Sequence, residues 1–147
     1  MASNYSRNRL HFGTENFCYF GTERPQTLHG QFYSCRDKWD AFNQARLAAR
    51  TFAGMLNATS VPFVQALGPW KGWVTGSQTP DGLRGWRLDF DTRGDKGFHV
   101  NWWDRSQDPG GRNRSRRLFG ANVIVGEGLD MFWEVLSHFP GQVERAP

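Results

Sequence analysis

Gly85-Trp86-Arg87-Leu88-Asp89-Phe90-Asp91 and, one turn later, Phe98-His99-Val100-Asn101-Trp102-Trp103 decide the fold class of this chain. Trp86, Leu88 and Phe90 alternate with Arg87, Asp89 and Asp91, and Phe98, Val100 and Trp102 alternate with His99, Asn101 and Trp103. A period of two is what a strand shows when one of its faces is buried. Asp91-Thr92-Arg93-Gly94-Asp95-Lys96-Gly97 has turn composition, so the two runs are expected to pair as an antiparallel hairpin. A second polar turn, Asp104 to Ser115 with Asp108-Pro109-Gly110-Gly111 inside it, leads to a third strand over Arg117–Val125. Leu129 to His138, stopped by Pro140, is expected to form a short final helix.

Upstream of the hairpin the period changes. Trp39, Phe42, Ala45, Ala49, Phe52 and Leu56 recur every three or four residues and paint one side of a helix expected over Arg36–Leu56. Ser34 is its expected cap, with Asp37 three residues on. Asn16 to Phe20, ended by Gly21, reads as a strand. Between Ala58 and Arg84, the breakers Pro62, Gly68, Pro69, Gly72, Gly76, Pro80 and Gly82 predict loop with room for one short turn or strand. The expected fold is α+β: an N-terminal helical part packed on an antiparallel β-meander, with a short C-terminal helix. One domain spans 1–147, with a helix-and-loop part over 1–84 and the meander plus terminal helix over 85–140.

Composition bounds the function. The chain has 147 residues, 18 Lys+Arg against 14 Asp+Glu, and a net charge of +4. That length suits one domain with a sizeable core. No apolar run approaches the roughly 18 residues of a membrane span, and the polar, basic N-terminus carries no apolar signal region. With 7 Trp, 12 Phe and 3 Tyr, the chain has ample material to fold. The basic residues are 15 Arg and only 3 Lys. Arginine's planar fork matches phosphate, so the skew favours a polyanion partner such as nucleic acid. The plainer reading is an ordinary charge from a GC-rich genome. Cys18 and Cys35 lack the close Cys/His pairs of a zinc site; they could form one disulfide, but buried free thiols are the expected state.

Strand alternation puts Arg87, Asp89, His99 and Asn101 on the face away from the helices, with Lys96 at the turn and Arg117 at the start of the third strand. These residue types suit phosphodiester cleavage. His99 would act as general base or acid near neutral pH, and Asp89 would orient it. Arg87 or Arg117 would neutralise a pentavalent phosphorane, and Asn101 would hold a phosphate oxygen or nucleotide. Arg112-Asn113-Arg114-Ser115-Arg116-Arg117 would hold a phosphate backbone, and Trp103 could stack on a base. Each has a plainer reading: a solvated strand face, a polar turn guarding an edge, aromatic packing. No spaced carboxylate motif supports a metal, and no cofactor motif is present. His11, His29 and His138 have weaker claims to acid or base work.

The segments Gly85–Asp91 and Lys96–Asp104, with the terminal helix over Leu129–Phe139, resemble C-terminal toxin modules of bacterial polymorphic toxins of the Rhs and contact-dependent-inhibition type. The resemblance covers Gly85 to Pro140. It implies a secreted effector domain that acts in a target-cell cytoplasm and is neutralised by a cognate immunity protein. Many such modules are metal-independent ribonucleases of the barnase, EndoU, colicin or RelE-like type, and His99 is the residue that carries over. A second likeness points to another class. Tyr19-Phe20-Gly21-Thr22 and Gln142-Val143-Glu144 resemble the first strand and the Q-x-E signature of NAD-dependent ADP-ribosyltransferase toxins, with Phe20 where those have Arg or His. A non-catalytic RNA-binding module is the third class.

Overall fold

The computed structural model describes residues 6–12, 16–22, 30–35, 37–93, 96–139 and 141–142. Among these the elements run β1 (Ser6–Phe12), β2 (Asn16–Thr22), β3 (Gly30–Cys35), α1 (Lys38–Phe52), β4 (Val61–Val64), β5 (Val74–Gln78), β6 (Arg84–Asp91), β7 (Gly97–Asp104), β8 (Leu118–Ile124) and α2 (Leu129–Ser137). Strands β3 to β8 form a mixed sheet in the order β3-β8-β7-β6-β5-β4, and β2 and β1 extend it beyond β3. Every pairing is antiparallel except β3 with β8. The fold class is α+β, with the meander β6-β7-β8 at its centre.

Helix α1 starts where the cap chemistry permits and stops where the backbone turns left-handed. Asp37, in extended conformation, accepts a 2.8 Å hydrogen bond from the Trp39 amide, satisfying one of the orphan donors of the first turn. Ser34, the expected cap, lies instead in β3. Gly54, with φ of +73°, ends the helix two residues after Phe52, short of the expected Leu56. The buried side of α1 is Ala41, Phe42, Ala45 and Ala49. Three alanines let the helix approach the sheet closely enough for Asn122 of β8 to donate to the Ala45 carbonyl at 3.0 Å.

Trp86, Leu88, Phe98, Val100 and Trp102 are buried beneath the helices, as the alternation predicts. Phe132 of α2 is the hub of this core, with its ring 4.7 Å from Trp70, 5.6 Å from Phe98 and 5.9 Å from Phe90. Truncating such a fully buried aromatic costs about 3–5 kcal/mol.

The N-terminal part differs from the expected helix-and-loop arrangement. The 58–84 stretch contains β4 and β5, and the first 35 residues supply β1, β2 and β3. Strand β4 is an edge strand, the position in a sheet that tolerates a proline such as Pro62, and its pairing slips between Phe63 and Val64. The cysteine reading is also corrected: Cys35 is disulfide-bonded, and Cys18, the chain's other cysteine, is its register partner across β2 and β3. Direct opposition on neighbouring strands brings two residues within a disulfide's reach. No helix among the described residues is long and apolar enough to cross a membrane.

Candidate functional site

In antiparallel pairs, residues directly opposite each other share a face. Asp89 faces His99, which faces Val123, and Arg87 faces Asn101, which faces Ala121. Gly85 faces Trp103, which faces Phe119. The register therefore brings Arg87, Asp89, His99 and Asn101 together on the face away from the helices.

Three groups hold the Asp89 carboxylate. Oδ1 accepts from the Phe90 amide at 3.0 Å; Oδ2 accepts from Asn101 Nδ2 at 3.3 Å and lies 3.6 Å from Arg87 Nη2. The Arg87 guanidinium also lies over the Phe63 ring, 5.7 Å from its centroid. Its Nε is buried without a hydrogen-bond partner, a donor left over in an otherwise bonded cluster.

His99 is not on an open surface: it is 5 % exposed. Its Nδ1 lies 2.9 Å from the Gly97 carbonyl. A carbonyl can only accept, so Nδ1 carries the proton and Nε2 carries the lone pair in the neutral ring. Burial pushes the imidazole below its ordinary pKa; the Gly97 bond and the Asp89 charge oppose that shift, and Lys96 reinforces it. The outcome is an uncharged imidazole beside a fixed carboxylate, which is the state a proton acceptor needs. A cleft of about 330 Å³ opens next to this cluster, lined by Asp89 and Asp91 of β6, Gln65 and Trp70 of the β4–β5 connection, and Thr92 and Arg93 of the turn. Sequence reading missed Gln65 and Arg93 here, because 58–84 is expected mainly as loop and 91–97 only as the turn of the hairpin.

The expected substrate-binding residues divide by position. Lys96 is exposed at the same end of β7 as His99. Arg112, Arg114 and Arg116 are exposed in the β7–β8 connection, which leaves β7 at Asp104. That lies five residues beyond His99, about 17 Å along a strand. This connection is a built loop. Nearly covered Asp108 accepts from the amides of Arg112 at 2.9 Å and Asn113 at 2.8 Å, and pairs with Arg117 Nε at 2.8 Å. Those amide bonds and the Arg117 charge hold the Asp108 carboxyl below the usual carboxylate range. Arg117 is thereby spent within the loop. Trp103 is likewise engaged: Nε1 donates to the Gly82 carbonyl at 3.1 Å, and its ring meets Phe63 at 5.5 Å and fills the space a side chain at Gly85 would need.

Of the weaker histidines, His138 ends α2 with Nδ1 2.8 Å from the Glu134 carbonyl. His29 and the His11 side chain lie outside the described residues. So does Glu144 of the Q-x-E likeness. Its Gln142 is committed to backbone groups, two at Val74 and one at Leu136. Neither a scan against protein-family models nor a search of curated proteins returns a match for this chain.

Proposed function

We propose that this domain is a metal-independent ribonuclease of the polymorphic-toxin kind, with His99 as its proton-transfer group. The observation that carries the reading is the shared face of Arg87, Asp89, His99 and Asn101, with Asp89 held by Asn101, Arg87 and the Phe90 amide. In this mechanism Nε2 of neutral His99 takes the proton of a ribose 2′-hydroxyl. The 2′ oxygen attacks the adjacent phosphorus, the 5′ oxygen leaves and is protonated from solvent, and a 2′,3′-cyclic phosphate results. Arg87 offsets the charge that builds on the phosphorane, and Asp89 stabilises the imidazolium that forms. Lys96 and the exposed arginines 112, 114 and 116 hold flanking phosphates by salt-sensitive contacts. The likeness of the Gly85–Pro140 segment adds the biological setting: an effector secreted toward a competitor, acting as a monomer in its cytoplasm and silenced by an immunity protein.

The test is RNA cleavage by purified protein in excess EDTA and without NAD. Cyclic phosphate ends that disappear in His99→Ala support the reading; intact RNA at high protein concentration removes it. The burial of His99 favours a second reading, an RNA-binding module without turnover. That reading expects salt-dependent RNA affinity, unchanged by His99→Ala and weakened by Arg114→Gln with Arg116→Gln.

A further inference from the structure

The opposite face of the sheet carries a second basic feature. Arg46 and Arg50 stand one helical turn apart on α1 and line a cleft of about 310 Å³ with Met55, Ser60, Ser77 and Trp86. Ser77 pairs with Trp86 across β5 and β6, and Trp86 belongs to the core beneath the helices. The cleft therefore opens on the helix-bearing side, away from His99. Among the described residues neither arginine meets a carboxylate: the ion pairs there join Lys38, Arg84, Arg87 and Arg117 to acids. Among those residues Arg46 meets the Asn43 amide oxygen at 3.2 Å and the Phe42 ring at 5.3 Å.

A position in the last turn of a helix favours a cation and accounts for Arg50. It does not account for Arg46, a turn earlier and half buried, whose pKa is lowered first by burial and then by the Arg50 charge. Like charges four residues apart on a helix repel each other, and among the described residues no carboxylate pairs with either to offset the repulsion.

We propose that this α1–β5–β6 cleft is an anion site for a phosphate ester, held between the Arg46 and Arg50 guanidiniums with the Ser60 hydroxyl as a further donor; the Ser77 hydroxyl donates to the Val61 carbonyl at 3.3 Å and lines the cleft. Two adjacent forks match the several oxygens of a phosphate, and the volume falls within the range of small-ligand sites. The shared chemistry has two sources, a free nucleotide or a backbone phosphate of RNA. The site is independent of the His99 reading, since the two lie on opposite faces.

The experiment is calorimetric titration of the full chain with adenosine monophosphate and, separately, with a short single-stranded RNA. The proteins are wild type, Arg46→Gln/Arg50→Gln, and Arg50→Gln alone. Arg50 has no side-chain hydrogen bond or ion pair among the described residues, so the single variant is expected to keep the fold, which a circular dichroism melt checks. Saturable binding of the mononucleotide, weakened about tenfold or more by Arg50→Gln and abolished in the double variant, assigns a free phosphate ester. Saturable binding of RNA alone, weakened in the same way by the same variants, assigns a backbone phosphate. Binding that both variants leave unchanged, or no saturable binding of either probe, overturns the proposal. Titration of His99→Ala separates this site from the His99 face: mononucleotide binding unchanged in that variant supports the cleft, and binding lost in it while kept in Arg46→Gln/Arg50→Gln overturns the proposal.

Discussion

Replacing Gln142 with Ala tests whether this residue builds the fold or acts on a substrate. Its side chain works as an extra piece of backbone. Oε1 accepts from the Val74 amide at 2.8 Å, and Nε2 donates to the Val74 carbonyl at 2.6 Å and to the Leu136 carbonyl at 2.9 Å. The contact ties the chain beyond α2 to β5, beside the point where the β4–β5 ladder slips. Val74 is 5 % exposed, so water cannot replace the lost partner. Each bond contributes a net ~0.5–1.5 kcal/mol, so losing all three costs about 2–4 kcal/mol. For a domain of this length that lowers Tm by roughly 5–15 °C. Urea unfolding of wild type, Gln142→Ala and Gln142→Glu measures it; Glu keeps the acceptor but loses both donors and should be at least as damaging as Ala. A loss below about 0.5 kcal/mol would sink the reasoning, because surface substitutions do no more than that. The transferase reading requires another pattern: unchanged stability with an NAD-dependent activity lost.

Three further outcomes follow from the same geometry. His99 is pushed below its ordinary value by burial, so the folded state binds fewer protons than the unfolded chain. Its contribution is complete above the unfolded value of about 6.5 and falls away as pH drops through it; denaturation curves between pH 5 and 7 should show a slope that His99→Gln removes, and any cleavage should persist to more acid pH than an ordinary histidine allows. Asp108→Ala removes the acceptor for two loop amides and the Arg117 partner; limited trypsin digestion should then cut at Arg112 to Arg117 faster than in wild type, and equal rates would mean that the loop does not depend on Asp108. Reduction of the disulfide at Cys35, or Cys35→Ser, opens a loop that the chain-entropy account values at about 3 kcal/mol; a thiol assay on unreduced protein should find no free cysteine, and two reactive thiols would refute the pairing.

What could be read in the residues follows the range of the interactions. The meander was legible because alternation and turn chemistry are local: Trp86 to Phe90 and Phe98 to Trp102 announce a buried face within a few residues. Helix α2 was legible for the same reason, and α1 nearly so. Its ends were misjudged because Ser34 belongs to a strand that pairs with β8, and because Gly54 adopts positive φ. Strands β4 and β5 were hidden by Pro62 and Gly76, breakers in isolation that an edge strand and a close strand contact tolerate.

The candidate site divides along the same line. Local alternation by itself determined that Arg87, Asp89, His99 and Asn101 share a face, since a strand turns its side chains over at each step. Only the tertiary structure decided that His99 is covered, that Arg117 and Trp103 are held by Asp108 and Gly82, and that Gln142 is a clamp. It also decided that Cys18 lies opposite Cys35 and that Arg46 and Arg50 share a cleft with Ser77. Each of these depends on a neighbour from elsewhere in the chain, and local periodicity carries no information about which distant segment supplies it.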